Sequence, residues 1–175
     1  ATGIKDDLSQ ANSALQDERS ALKELEVGLA ELKRNAALRP MTCYQAYQTV
    51  GYDFQQTMGF AYKQTLGYAN SQFRSATSKL DERLSRVAGM TDQIEKNSIE
   101  LRNAIRLSTF PSPKLVISPG DERGPMEQYK MLARSSKDEL PALKAQNEEI
   151  LAKAKELMHE GKVVMETAQS LVRCR

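Results

Sequence analysis

The sequence predicts an all-α protein, an elongated antiparallel three-helix bundle with coiled-coil-like heptad seams. Three observations carry that expectation. Ala, Leu, Glu, Lys, Gln and Arg, the strong helix formers, dominate, while aromatics are 6% and Trp is absent, which is poor material for a β-sandwich. Pro falls at 40, 111, 113, 119, 125 and 141, which leaves 1–39 and 41–110 free of helix breakers. Apolar residues recur at alternating steps of four and three along each long block.

The first block, about 3–38, carries Ile4, Leu8, Ala11, Leu15, Glu18, Leu22, Leu25, Leu29, Leu32 and Ala36 on that step. Glu18 is its one polar member. Arg39-Pro40 ends it, because a residue before Pro is pushed out of the helical region. A turn this short makes the first two helices antiparallel neighbours.

The second block, about 42–107, continues the step in its later half with Phe73, Thr77, Leu80, Leu84, Val87, Thr91, Ile94, Ser98, Leu101 and Ile105. Met90, Ile99 and Leu107 widen the apolar face. Residues 108–125 hold four of the six prolines and read as a loop, with Leu115-Val116-Ile117 as a brief extended piece. The third block, about 126–173, keeps one register from Met126 through Ser136, Asn147 and Gly161 to Leu171. Pro141 and the capping-box-like Ser136-Lys137-Asp138-Glu139 predict a kink or restart there. Asn147 on the seam is expected to fix register at some cost in stability.

Residues 44–73 differ from the rest. Eight of the ten aromatics lie here, with Asp53 and Lys63 as the only charges. The segment repeats at period eight: Gln48-Thr49-Val50-Gly51-Tyr52, Gln56-Thr57-Met58-Gly59-Phe60, Gln64-Thr65-Leu66-Gly67-Tyr68. On an α-helix eight residues advance about 800°, some 80° beyond two turns, so the repeated aromatics are expected to wind around the axis. A strand aligns them instead, but no turn signal punctuates the segment and helical blocks flank it, which favours helix. Two placements stand open. Tyr44, Tyr47, Tyr52, Phe54, Phe60, Tyr62 and Tyr68 form a partner-binding face, or they fill the middle of the bundle with Gly permitting close helix approach.

Function classes narrow by what the chain carries. One domain spans its 175 residues, and 25 basic against 23 acidic side chains give a net charge of +2, which argues against bulk nucleic acid as a partner. No uncharged stretch is long enough for a membrane span. The chain begins Ala1-Thr2-Gly3 and reads as a mature or excised piece. His159 lies off the seam and reads as a solvated side chain. Glu148-Glu149 and Asp81-Glu82 read as surface charges. One His and two distant cysteines make no metal cluster, so no metal, cofactor or enzymatic activity is expected.

Cys43 and Cys174 fit one disulfide or two free thiols. An up-down-up bundle brings the start of helix two and the end of helix three to one end, which predicts the disulfide. The loop is expected to run back so that helix three starts near the level of residue 92. The functional expectation is a non-enzymatic extracellular or cell-surface bundle that binds a protein partner. The alternative is an intracellular, cytoplasmic coiled-coil scaffold that forms a homo-oligomer through the seams of helices one and three.

Overall fold

The computed structural model describes residues 2–107 and 123–174. It is an all-α helical bundle of three rods, with no strand among the described residues. Helix α1 spans Thr2–Ala36, α2 spans Gly67–Leu107 and α3 spans Arg123–Ser170. Three π-helical segments precede α2 in one unbroken rod: π1 (Gln45–Val50), π2 (Asp53–Met58) and π3 (Ala61–Leu66). The second rod therefore runs over 43–107, alternating π and α turns in its first third.

Local chemistry marks the rod ends. The Arg39 guanidinium donates to the Ala36 and Leu38 carbonyls at 2.7 and 2.8 Å, satisfying acceptors that the end of α1 leaves free. Arg39-Pro40 is a cis peptide. Thr42 then opens the second rod. Its hydroxyl accepts from the Gln45 backbone N–H at 3.2 Å, and the Gln45 side chain accepts from the Thr42 N–H at 3.1 Å, a reciprocal capping box.

Cross-rod pairs give the register. Asp7 pairs with Arg83 and Asn35 donates to Asp53, so numbering on the second rod falls as that on α1 rises. Arg19 bonds Gln146, and Lys33 pairs with Glu160, both 127 residues apart, so α1 and α3 rise together. Asp81 meets Lys144 and Glu95 meets Lys130 between the second and third rods.

The core lies where all three rods overlap. Leu15, Leu25 and Leu32 of α1 are buried there, with Val50, Met58 and Leu66 of the π segments, Phe73 and Leu80 of α2, and Leu143 and Ile150 of α3. Each such side chain contributes roughly 1.5–3 kcal/mol of burial. A second cluster joins Ile4, Leu80, Val87 and Leu140 where α1 begins. Past that level the second and third rods continue without α1. Ile94 and Leu101, expected on a seam, are exposed there, as are Met90 and Ile99.

Several expectations are corrected. The loop expected over 108–125 is shorter at its end, since α3 begins at Arg123, and 108–122, including Leu115-Val116-Ile117, lie outside the described residues. Helix three neither restarts nor breaks at Pro141, which sits inside it with its side chain outward. Ser136 caps nothing: it is fully buried and its hydroxyl has no hydrogen-bond partner. Lys130 lies level with Glu95, so α3 starts opposite about residue 102 rather than 92.

The π segments explain how the ends still meet. From Asp81–Lys144 to the approach of Gly51 and Gln169, the second rod spends 30 residues where α3 spends 25. Wider turns with i→i+5 bonds consume more residues per unit of length. Cys43 and Cys174 consequently reach one another and form a disulfide, with Cα atoms 5.5 Å apart.

Candidate interaction surface

The period-eight repeat is the sequence signature of the π turns. Each repeat glycine closes one: the Gly51 N–H donates to Ala46 O, Gly59 to Phe54 O and Gly67 to Tyr62 O, each five residues back. A strictly α-helical rod overshoots two turns by about 80° every eight residues. Widened turns absorb that excess, so an eight-residue period becomes two full turns. Val50, Met58 and Leu66 are all fully buried as a result. The expected winding of the aromatics around the axis is therefore corrected.

The same arithmetic places the aromatics. Two residues beyond each buried apolar position stand Tyr52, Phe60 and Tyr68, exposed by 62, 60 and 69%, and Tyr44 continues the row at 71%. Tyr47 is exposed beside them. Phe54 and Tyr62 go the other way: both are half-buried and pack on the main core. The seven aromatics singled out in the sequence thus divide five to the surface and two to the core.

Of the repeat glycines, Gly51 lies against Gln169 of α3, while Gly59 and Gly67 do not serve close helix approach. A Cβ on Gly59 or Gly67 would meet only carbonyl oxygens of its own rod, at 3.5 and 3.8 Å. That role falls to Gly28 of α1 and Gly161 of α3, which flank Met58 from either side. A Cβ at Gly161 would lie 2.9 Å from Met58 Sδ and 3.2 Å from Phe54 Cδ2; one at Gly28 would lie 3.1 Å from Met58 Cγ.

A shallow groove runs between α1 and the aromatic row. One stretch is lined by Glu24, Val27, Gly28, Glu31, Thr57 and Phe60. The next is lined by Asp17, Ser20, Phe60, Gln64, Tyr68 and Ala69, and shares Ser20 and Phe60 with the first. Sequence reading missed the α1 side of this groove. Its signal was present as Asp17, Glu24 and Glu31, three carboxylates at seven-residue spacing and therefore on one face of α1.

A buried polar layer crosses the bundle beneath. Glu18, the polar member of the α1 stripe, and Asn147 of the α3 stripe meet there. Assigning the Asn147 amide with its nitrogen toward Glu18 satisfies both amide atoms: the nitrogen then donates toward Glu18 Oε1 at 2.6 Å and Oε2 at 2.9 Å, with Asn70 Oδ1 at 3.1 Å. Glu18 is fully buried. Desolvation pushes its carboxyl from 4.5 up to about 7, against a smaller opposing pull from the Arg19 charge.

His159 is exposed. No helix among the described residues is long and apolar enough to cross a membrane. The chain matches no protein-family model, no curated protein and no solved structure at a significant level.

Proposed function

We propose that this chain is a non-enzymatic helical bundle, extracellular or on a cell surface, that binds a protein partner through the aromatic row of its second rod. One observation carries the reading: Tyr44, Tyr52, Phe60 and Tyr68 stand 60–71% exposed in a segment with two charges, while the core is completed without them. Large exposed aromatics in a charge-poor patch are what interface centres are made of. Repeated π turns add support, because such turns depart from regular α hydrogen bonding and are frequent at functional sites. The disulfide favours an oxidising compartment.

The competing reading, a scaffold that self-associates through the seams of helices one and three, has fewer groups to offer. Leu15, Leu25 and Leu32 of α1 and Leu143, Ile150 and Ala154 of α3 are already buried within one chain.

The test is capture from the native source with the wild-type chain and with Tyr52→Ala/Phe60→Ala/Tyr68→Ala. The variant keeps its circular dichroism spectrum and loses the captured protein. Undiminished capture by a folded variant contradicts the proposal.

A further inference from the structure

The groove beside the aromatic row has a chemical polarity that specifies its occupant. Glu24 and Phe60 line one stretch and Asp17 and Tyr68 the next. Seven residues back along α1 thus correspond to eight residues forward along the second rod: an α heptad and a π-containing octad advance together. Phe60 and Tyr68 each have a carboxylate across the groove, Glu24 and Asp17. Asp17, Glu24 and Glu31 are all exposed. Among the described residues Asp17 and Glu24 have no ion-pair partner, and Glu31 has only Arg34 at 3.9 Å. Lys23 is the one cation lining the groove, so it is acidic on a chain whose net charge is +2. Its floor is apolar and low, with the buried Gly28 and Ala61, and Val27 stands exposed on its α1 side.

We infer that the segment docking in this groove is a peptide in the polyproline II conformation with basic residues three apart, Arg above all, lying lengthwise between the carboxylates and the aromatics. The inference rests on the aromatic row being the docking face. A guanidinium can stack on a Phe or Tyr ring while its edge donates to a carboxylate. The carboxylates are spaced by seven α-helical residues, about 10.5 Å. A polyproline II chain, with three residues per turn and about 3.1 Å rise, advances about 9.3 Å in three residues and returns every third side chain to the same face. Asp17 to Glu31 spans about 21 Å, close to two such steps, which gives three contacts along seven residues.

The probe is a fluorescein-labelled heptapeptide with Arg at its first, fourth and seventh positions and Pro-Pro between them, followed by anisotropy at 150 mM salt. The wild type is expected to bind it and to ignore the same peptide with Glu in place of Arg. Asp17→Asn/Glu24→Gln/Glu31→Gln, at surface positions that leave the fold intact by circular dichroism, is expected to weaken binding at least tenfold. Tyr52→Ala/Phe60→Ala/Tyr68→Ala is expected to weaken it comparably. No binding by the wild type, equal binding of the Glu peptide, or unchanged binding by the neutralised variant overturns the inference. If the neutralised variant keeps the native partner while the aromatic variant loses it, the aromatic docking face stands and the basic occupant falls. If the aromatic variant binds both peptide and partner normally, the docking face itself falls.

Discussion

Tyr52 and Phe60 stand eight residues apart on one exposed face of the second rod, while Val50 and Met58, also eight apart, are fully buried beneath them. An α-helix cannot hold both relationships at once, because it turns about 80° too far over that interval. The i→i+5 bonds ending at Gly51 and Gly59 absorb the excess, about one residue for every two turns. The repeat and the π turns are one fact expressed at two levels.

Glu18 makes stability depend on pH. Its folded carboxyl ionises near 7 and the free side chain near 4.5. Between those values the folded chain holds a proton that the unfolded chain has lost. Its contribution is complete below about 4.5 and disappears as pH rises through 7, on the order of 3 kcal/mol across the window. Glu18→Gln is expected to abolish that component and to be the more stable protein at pH 7.5. Melting curves of both proteins from pH 4.5 to 8 check it; parallel curves contradict it.

Met58 is held between two glycines, so packing there is intolerant of bulk. Gly161→Leu drives a side chain into Met58 and Phe54 and is expected to cost about 1–3 kcal/mol, while Gly161→Ala stays near neutral because gained helix propensity offsets the squeeze. Met58→Ala alone should cost about 2–5 kcal/mol. Combined with Gly161→Leu it should cost less than the two added, since the new side chain fills the vacated space. Urea denaturation of the four proteins measures the coupling.

The disulfide closes a loop of 131 residues. Its reduction is expected to lower stability by about 3–5 kcal/mol, mostly through the unfolded state. Intact-mass analysis with an alkylating agent should add no label to the native protein and two after reduction. Labelling of both thiols without reductant contradicts the pairing.

Much of this architecture was legible in the residues. The proline map and the four-three step on α1 announce long helices because both report directly on backbone compatibility and burial. The meeting of Cys43 and Cys174 follows from where a three-rod chain must end. Asn147 was recognisable as a polar residue on an apolar stripe, but its partner was not, because that depends on α1 and α3 rising 127 residues out of step. The aromatic repeat was visible and its geometry was misread. The α-helical rotation of 100° per residue was carried into a segment whose period already required about 90°. The exposure of Ile94 and Leu101 was equally hidden: their spacing suits a seam, but α1 begins at the level of Val87 and leaves them uncovered. The Thr42–Gln45 capping box stood in the sequence unread.

Tyrosine accessibility tests the central claim most directly. Brief nitration of the native protein, followed by peptide mass spectrometry, reports each ring separately. The π-turn geometry predicts that Tyr44, Tyr52 and Tyr68 react at similar rates, with Tyr62 protected against the core. A rod of ordinary α turns would rotate these repeat positions by about 80° per repeat and carry at least one of the three into the bundle. Strongly unequal modification of Tyr44, Tyr52 and Tyr68, or rapid modification of Tyr62, would contradict the account.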